Sequence, residues 1–200
     1  MKITIVALGL LLIAPAGFAQ RYREAATGGA SERTAMLKTL ERGKAMKGNR
    51  DQYRHLTQVF AVALVNSETP EQAIARAGDA GAQLVETKGR LVLYRSSSSR
   101  PAYVQSAGRT SVFPTVVNAR TGTLGVLTGE LIVKPRNMED ADAIAKGRGI
   151  EKIKAYPQLQ AVFYRVKAGV DIADIAAALQ ADPRVESAYP EIVERVRVPK

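Results

Sequence analysis

The chain of 200 residues contains no cysteine, no tryptophan and a single histidine. Without cysteine the fold cannot lean on disulfides or thiolate ligands, even in a compartment that would permit disulfides. Without tryptophan, and with only 6% aromatic residues, the core must be filled by Val, Ile, Leu and Ala. The lone histidine, His55, sits in the basic stretch "QYRHLTQ" with no carboxylate beside it to orient an imidazole. Proton transfer near neutral pH needs such groups in company, so His55 reads as a surface or strand-edge residue. A phosphate loop is missing too, because "GKAMKGN" lacks the required spacing. Glu139, Asp140 and Asp142 have the composition of a metal cluster, but carboxylates in a first helical turn are accounted for by the helix dipole. The sequence therefore predicts no enzyme, no catalytic residue, no metal and no cofactor.

Long apolar runs are also absent, with one exception. In "MKITIVALGLLLIAPAGFAQ" a basic Lys2 precedes an apolar stretch from Ile3 to Ala14, and small residues stand at Gly17 and Ala19. This is the pattern of a signal peptide, residues 1–19, cleaved after Ala19. The run is shorter than the roughly 20 residues a spanning helix needs. Export to a bacterial periplasm or beyond, without stable membrane insertion, is the expectation.

Acidic residues are scarce relative to basic ones. Loss of Lys2 would leave 28 Lys and Arg against 19 Asp and Glu, a net charge of +9. In the cytosol such a balance would suggest nucleic acid. In an exported protein an acidic protein surface or an anionic envelope fits better. Sheet-based RNA readers stack bases on paired aromatics of one face, whereas Phe163 and Tyr164 in "AVFYRV" are adjacent and must point to opposite faces. No nucleic-acid partner is expected.

What the chain does contain is regular. Overall it is 46% hydrophobic and 24% charged, a globular composition. Residues 20–55 read as a basic helical or flexible arm, with Met36, Leu37 and Leu40 forming one stripe of a helix from Ser31 to Met46 that "KGNRD" breaks. Residues 56–128 read as an α+β unit. It opens with the strand "TQVFAVALV", followed by a helix capped by Thr69 with Pro70 and Gln72 in its first turn. Strands at 82–86 and 90–94 come next, then "SSSSRP" as a linker or mobile loop, and a turn at Asn118–Gly122. From residue 129 to 193 the order is strand, helix capped by Asn137, two strands split at Pro157–Gln158, helix capped by Asp171, strand. This is the βαββαβ, ferredoxin-like antiparallel sheet with two helices on one face. An echo links the halves: Ala73-Ile74-Ala75-Arg76 and Leu93-Tyr94-Arg95 recur 70 residues on as Ala143-Ile144-Ala145-Lys146 and Phe163-Tyr164-Arg165. The shared offset predicts a partial duplication, the first copy being a degenerate half-repeat without a second helix.

In "GELIVKP" and "GVDIADIAAALQADPRVESAYPEIV" the positions Leu179, Asp182, Pro183, Val185 and Pro190 carry a recognisable pattern. Over residues 129–193 the chain resembles the propeptide domains of subtilisin-family serine proteases. The resemblance implies a ferredoxin-like domain that docks its sheet face on the protease, lays its tail in the substrate cleft, and both inhibits the protease and assists its folding. It implies a docking surface of Tyr164, Glu186, Tyr189 and Glu191. Residues 194–200 would be the inhibitory tail, in which Arg195 and Arg197 alternate with Val196 and Val198 before Pro199 and Lys200. That alternation has the period of a strand, and Lys200 would fill the primary specificity pocket. No protease follows in the sequence, so a free-standing inhibitor and external chaperone is expected, with the protease on a separate chain. The competing expectation is an exported, non-catalytic adaptor or envelope-binding module that uses the basic N-terminal arm.

Overall fold

β-Branched and aromatic residues dominate the segments from Tyr53 onward, and the fold they build is a sheet-centred α+β structure. A computed structural model describes residues 38–100, 104–107 and 110–194, together with Ala35. Its ten strands and three α-helices, counted over the described residues, lie in the compact unit that begins at Thr39. The proposed signal peptide lies outside the described residues, and no helix among them is long and apolar enough to cross a membrane.

The strands are β1 (Arg42–Lys47), β2 (Gln52–Ala63), β3 (Gln83–Lys88), β4 (Leu91–Arg95), β5 (Gln105–Ala107), β6 (Thr110–Asn118), β7 (Leu124–Pro135), β8 (Ile150–Tyr156), β9 (Ala161–Val166) and β10 (Val185–Val193). The helices are α1 (Pro70–Arg76), α2 (Ala141–Ala145) and α3 (Ile172–Gln180). They form one antiparallel sheet in the order β3-β4-β2-β6-β7-β9-β8, with β1 added to β2, β5 to β6 and β10 to β7.

β7 is the strand on which the sheet turns. Val126 pairs with Thr115 of β6 and also with Val193 of β10, so these two strands take opposite edges. β10 follows its edge from Val126 to Pro135. The other edge passes from β6, at Leu124–Val126, to β9, at Glu130–Val133. The expected domain boundary at 128/129 falls inside this strand and is not a boundary in the fold. Gly129 lies at the handover with φ +87, a conformation that glycine adopts without steric cost. Thr128–Glu130 bulge there, three residues of β7 between Leu127 and Leu131 opposing the single Glu191 of β10 between Ile192 and Pro190.

Two four-stranded groups result, and they share one scheme. The first has the spatial order β6-β2-β4-β3, the second β10-β7-β9-β8. Their central ladders are in the same register: Val59↔Arg95, Phe60↔Tyr94 and Val62↔Val92 in one, Glu130↔Arg165, Leu131↔Tyr164 and Val133↔Val162 in the other. Tyr94 and Tyr164, 70 residues apart, are both fully buried. The internal echo thus coincides with a repeated pairing pattern. Between β9 and β10 the second group carries α3; between β4 and β6 the first shows no helix among the described residues.

From Arg42 to His55 the chain departs from the expected helical or flexible arm. Arg42–Lys47 is a strand paired with β2 across a turn in which the Gly48 amide donates to the Asp51 carbonyl. Met46 is 5% exposed and belongs to the main core. The helix expected over Ser31–Met46 is helical at the described residues Ala35, Lys38 and Thr39, and from Arg42 the backbone bonds that β2 offers take the chain into the sheet instead. Of the "SSSSRP" segment, the described residues 96–100 are anchored to the sheet and to Asp79. Ser96 is buried, its amide donates to Gln58 and its hydroxyl to Asp79; the Arg100 guanidinium also binds Asp79, 2.6 Å away, and stacks 4.9 Å over the Phe60 ring.

Candidate docking face

In the second group the alternation of each strand sorts its side chains onto two faces. Leu131, Val133, Val162, Tyr164 and Ala188 face α2 and α3, and with Ile144, Ile172 and Leu179 they form the main core. The helices present these residues because Asn137 caps the 3-10 turn leading into α2, its side chain accepting from the Glu139 amide, and Asp171 caps α3, accepting from the Ala173 and Asp174 amides.

The opposite face has no helix on it among the described residues. Across it run Tyr189 of β10, Ile132 of β7 and Phe163 of β9 in successive register, with Tyr156 of β8 set diagonally from Phe163. All four are partly exposed. Tyr156 meets Phe163 edge-on at 5.4 Å, and Lys154 places its ammonium 4.7 Å from the Tyr156 ring centre. The three residues in register form an apolar row that spans two inter-strand steps, about 10 Å. On one side it is bordered by charge, Arg165 pairing with Glu130 at 3.1 Å and standing opposite Glu151. Ile153 within β8 is 42% exposed, and Leu159 in the turn after it 62%. The solvent face of an antiparallel sheet is ordinarily polar; this one carries an apolar row that Lys154 ends in register.

The expected docking residues fall unevenly on this geometry. Tyr189 lies on the row. Glu186 is exposed at the start of β10, and Glu191 sits at the β7 bulge with its carboxylate accepting from the Thr128 hydroxyl at 2.6 Å. Tyr164 is a correction: it is fully buried on the helix side, donates its hydroxyl to the Ala141 carbonyl, and burial first, then the charge of Asp142, pushes that hydroxyl up to about 12. It holds α2 to the sheet and cannot touch a partner. Arg195, Val196, Arg197, Val198, Pro199 and Lys200 lie outside the described residues. Their starting point is fixed, however. The Glu194 carbonyl accepts from Lys88 at 2.9 Å and its carboxylate from Asn118 at 3.0 Å. Tyr53 stands beside it, its hydroxyl pushed up to about 12 by burial and by the Glu194 charge.

Ile132, Phe163, Tyr156 and Leu159 escaped the sequence reading, although a signal for one was present. Phe163 shares its parity with the charged Arg165, and Tyr164 with Val162 and Val166, so Phe163 belongs to the solvent side. His55 is a second correction, 2% exposed rather than at the surface. Among the described residues no group of His, Asp and Glu could hold a metal ion.

Residues 20–199 match the family model described as "Open reading frame 2 N-terminal domain". The chain belongs to this family. The Open reading frame 2 N-terminal domain match runs through both four-stranded groups, so the repeated scheme and the apolar row lie within one family domain. No curated protein and no solved structure gives a significant match.

Proposed function

We propose that this Open reading frame 2 N-terminal domain is an exported, non-catalytic inhibitor and folding chaperone of a subtilisin-family serine protease carried on another chain. In this reading the second group is a ferredoxin-like unit. It docks through Tyr189, Ile132, Phe163 and Tyr156, and residues 195–200 run into the substrate cleft from the anchored Glu194. The signal peptide delivers it to the periplasm or the medium. The observation that carries the proposal is the combination of strand order β10-β7-β9-β8, both helices on one face, and an apolar row left open on the other. A face of this kind excludes water from a partner over its central residues, with charges kept to the rim.

The test is inhibition of secreted subtilases by the purified chain, together with recovery of acid-denatured protease in its presence. Phe163→Glu and Ile132→Glu are expected to weaken inhibition at least 10-fold each, since a charge at the centre of a desolvated patch has no partner. Removal of residues 195–200 should abolish most inhibition and leave the fold intact. Failure of the chain to slow or rescue any subtilase would overturn the proposal, and retention on anionic membrane or cell-wall material would then favour envelope binding by the basic N-terminal segment.

A further inference from the structure

His55 lies buried in the first half of β2. It pairs with Val116 of β6 on one side and faces, on the other, a bulge of β1 between Arg42 and Ala45. The β1 backbone comes so near that a Cβ on Gly43 would stand 3.1 Å from the imidazole Nδ1. The side chain is 2% exposed, and its Nε2 has no hydrogen-bond partner. The charged groups facing it come from two elements, Lys44 on β1 and Asp171 at the cap of α3, while β6 offers only Val116. Asp171 is itself engaged, since Lys44 spans it at 3.0 Å and Asp174 at 2.6 Å. The amide end of α3 also opposes a cation.

We infer that His55 is an acid-sensitive latch: neutral, it lets β1 close over the core; protonated, it releases β1 from β2 and α3. An imidazolium at this depth would carry an N–H with nothing to receive it. The least costly relief is to lift the bulged strand, because β1 is attached by one hairpin ladder and by the exposed Lys44 bridges, whereas β2 and β6 are bound on both sides. Lifting uncovers Met46 and the ring together.

The sign of the effect follows from the burial. Desolvation, with Lys44 adding to it and Asp171 opposing, lowers the ring to about 4 from the 6.5 of an exposed histidine. The closed form is therefore fully favoured above pH 6.5 and loses ground as pH falls toward 4, where the loss is complete. Across that window the open population rises roughly 300-fold.

The experiment is hydrogen exchange of the full chain from pH 7.5 to 4, corrected for intrinsic rates, with His55→Gln as the non-titrating control. Protection of Arg42–Lys47 should fall steeply below pH 6.5 while β7 and β9 keep theirs, and His55→Gln should lose this pH dependence. Unchanged protection of β1, or a loss spread evenly over the sheet, would overturn the inference. Because the chain has one histidine, its ring carbon gives a single NMR titration curve in the wild type, independent of how the variant folds. A midpoint near 6.5 would equally sink the latch. None of these readouts involves a protease, so the latch and the docking proposal stand or fall separately.

Discussion

At the scale of single residues, the ion pairs that matter are those that fasten turns to the sheet. Asp182, 6% exposed, accepts from the Arg184 amide and guanidinium and from Arg148 across 34 residues of sequence. It joins the end of α2 to the entry of β10. Hydrogen bonds from Arg184 hold its carboxyl well below the usual carboxylate range, with Arg148 contributing further. Asp182→Asn should cost about 2 kcal/mol at pH 7, less than a fully buried pair would lose because both arginines keep contact with water. A depressed carboxylate contributes stability above its ordinary pKa and loses it as pH falls. The gap between wild type and variant in urea unfolding should therefore narrow between pH 4 and pH 2. Asp182 was legible in the sequence as part of "ADPRV", but its partner Arg148 was not, since nothing local links residues 34 apart. Phe163 and Tyr164 show the same limit from another side. Their opposition was certain from periodicity; which of them met the helices depended on parity with Arg165 and on packing of α2 that only the fold supplies.

Among elements, those with local signals were the readable ones. Thr69 accepts from the Gln72 amide at 3.3 Å while the Gln72 side chain accepts from the Thr69 amide at 2.9 Å, the capping box that the sequence predicted. α1 is only seven residues long, too short to persist without its cap and its packed face. Thr69→Ala should destabilise the chain by about 1 kcal/mol, and Thr69→Ser should restore most of it, as read from thermal unfolding. β1 was the element least visible beforehand. Its six residues alternate weakly, and its strand conformation is imposed by β2 and by burial of Met46, both distant in sequence. The helix expected after the Asn137 cap begins late: the cap is present, but three residues form a 3-10 turn before α2 begins at Ala141.

For the whole molecule, the repeat could be read from the sequence, but the join between its copies could not. The echo suggested two units placed end to end, whereas β7 serves as the last strand of the β6 hairpin and the inner strand of the second group at once. A strand shared in this way leaves no surface along which one group could unfold while the other keeps its edge satisfied. The two groups should therefore lose structure in one transition. Gly129 tests this, because it permits the bend of β7 and its missing Cβ would lie 2.9 Å from the Val104 side chain. Gly129→Ala should cost about 2 kcal/mol through the positive φ alone. Hydrogen exchange in rising urea should show β4 and β9, on either side of β7, opening with the same free energy in the wild type and falling together in the variant. Weakening of β9 with β4 unmoved would mean that the copies fold as separate domains, and that β7 merely connects them.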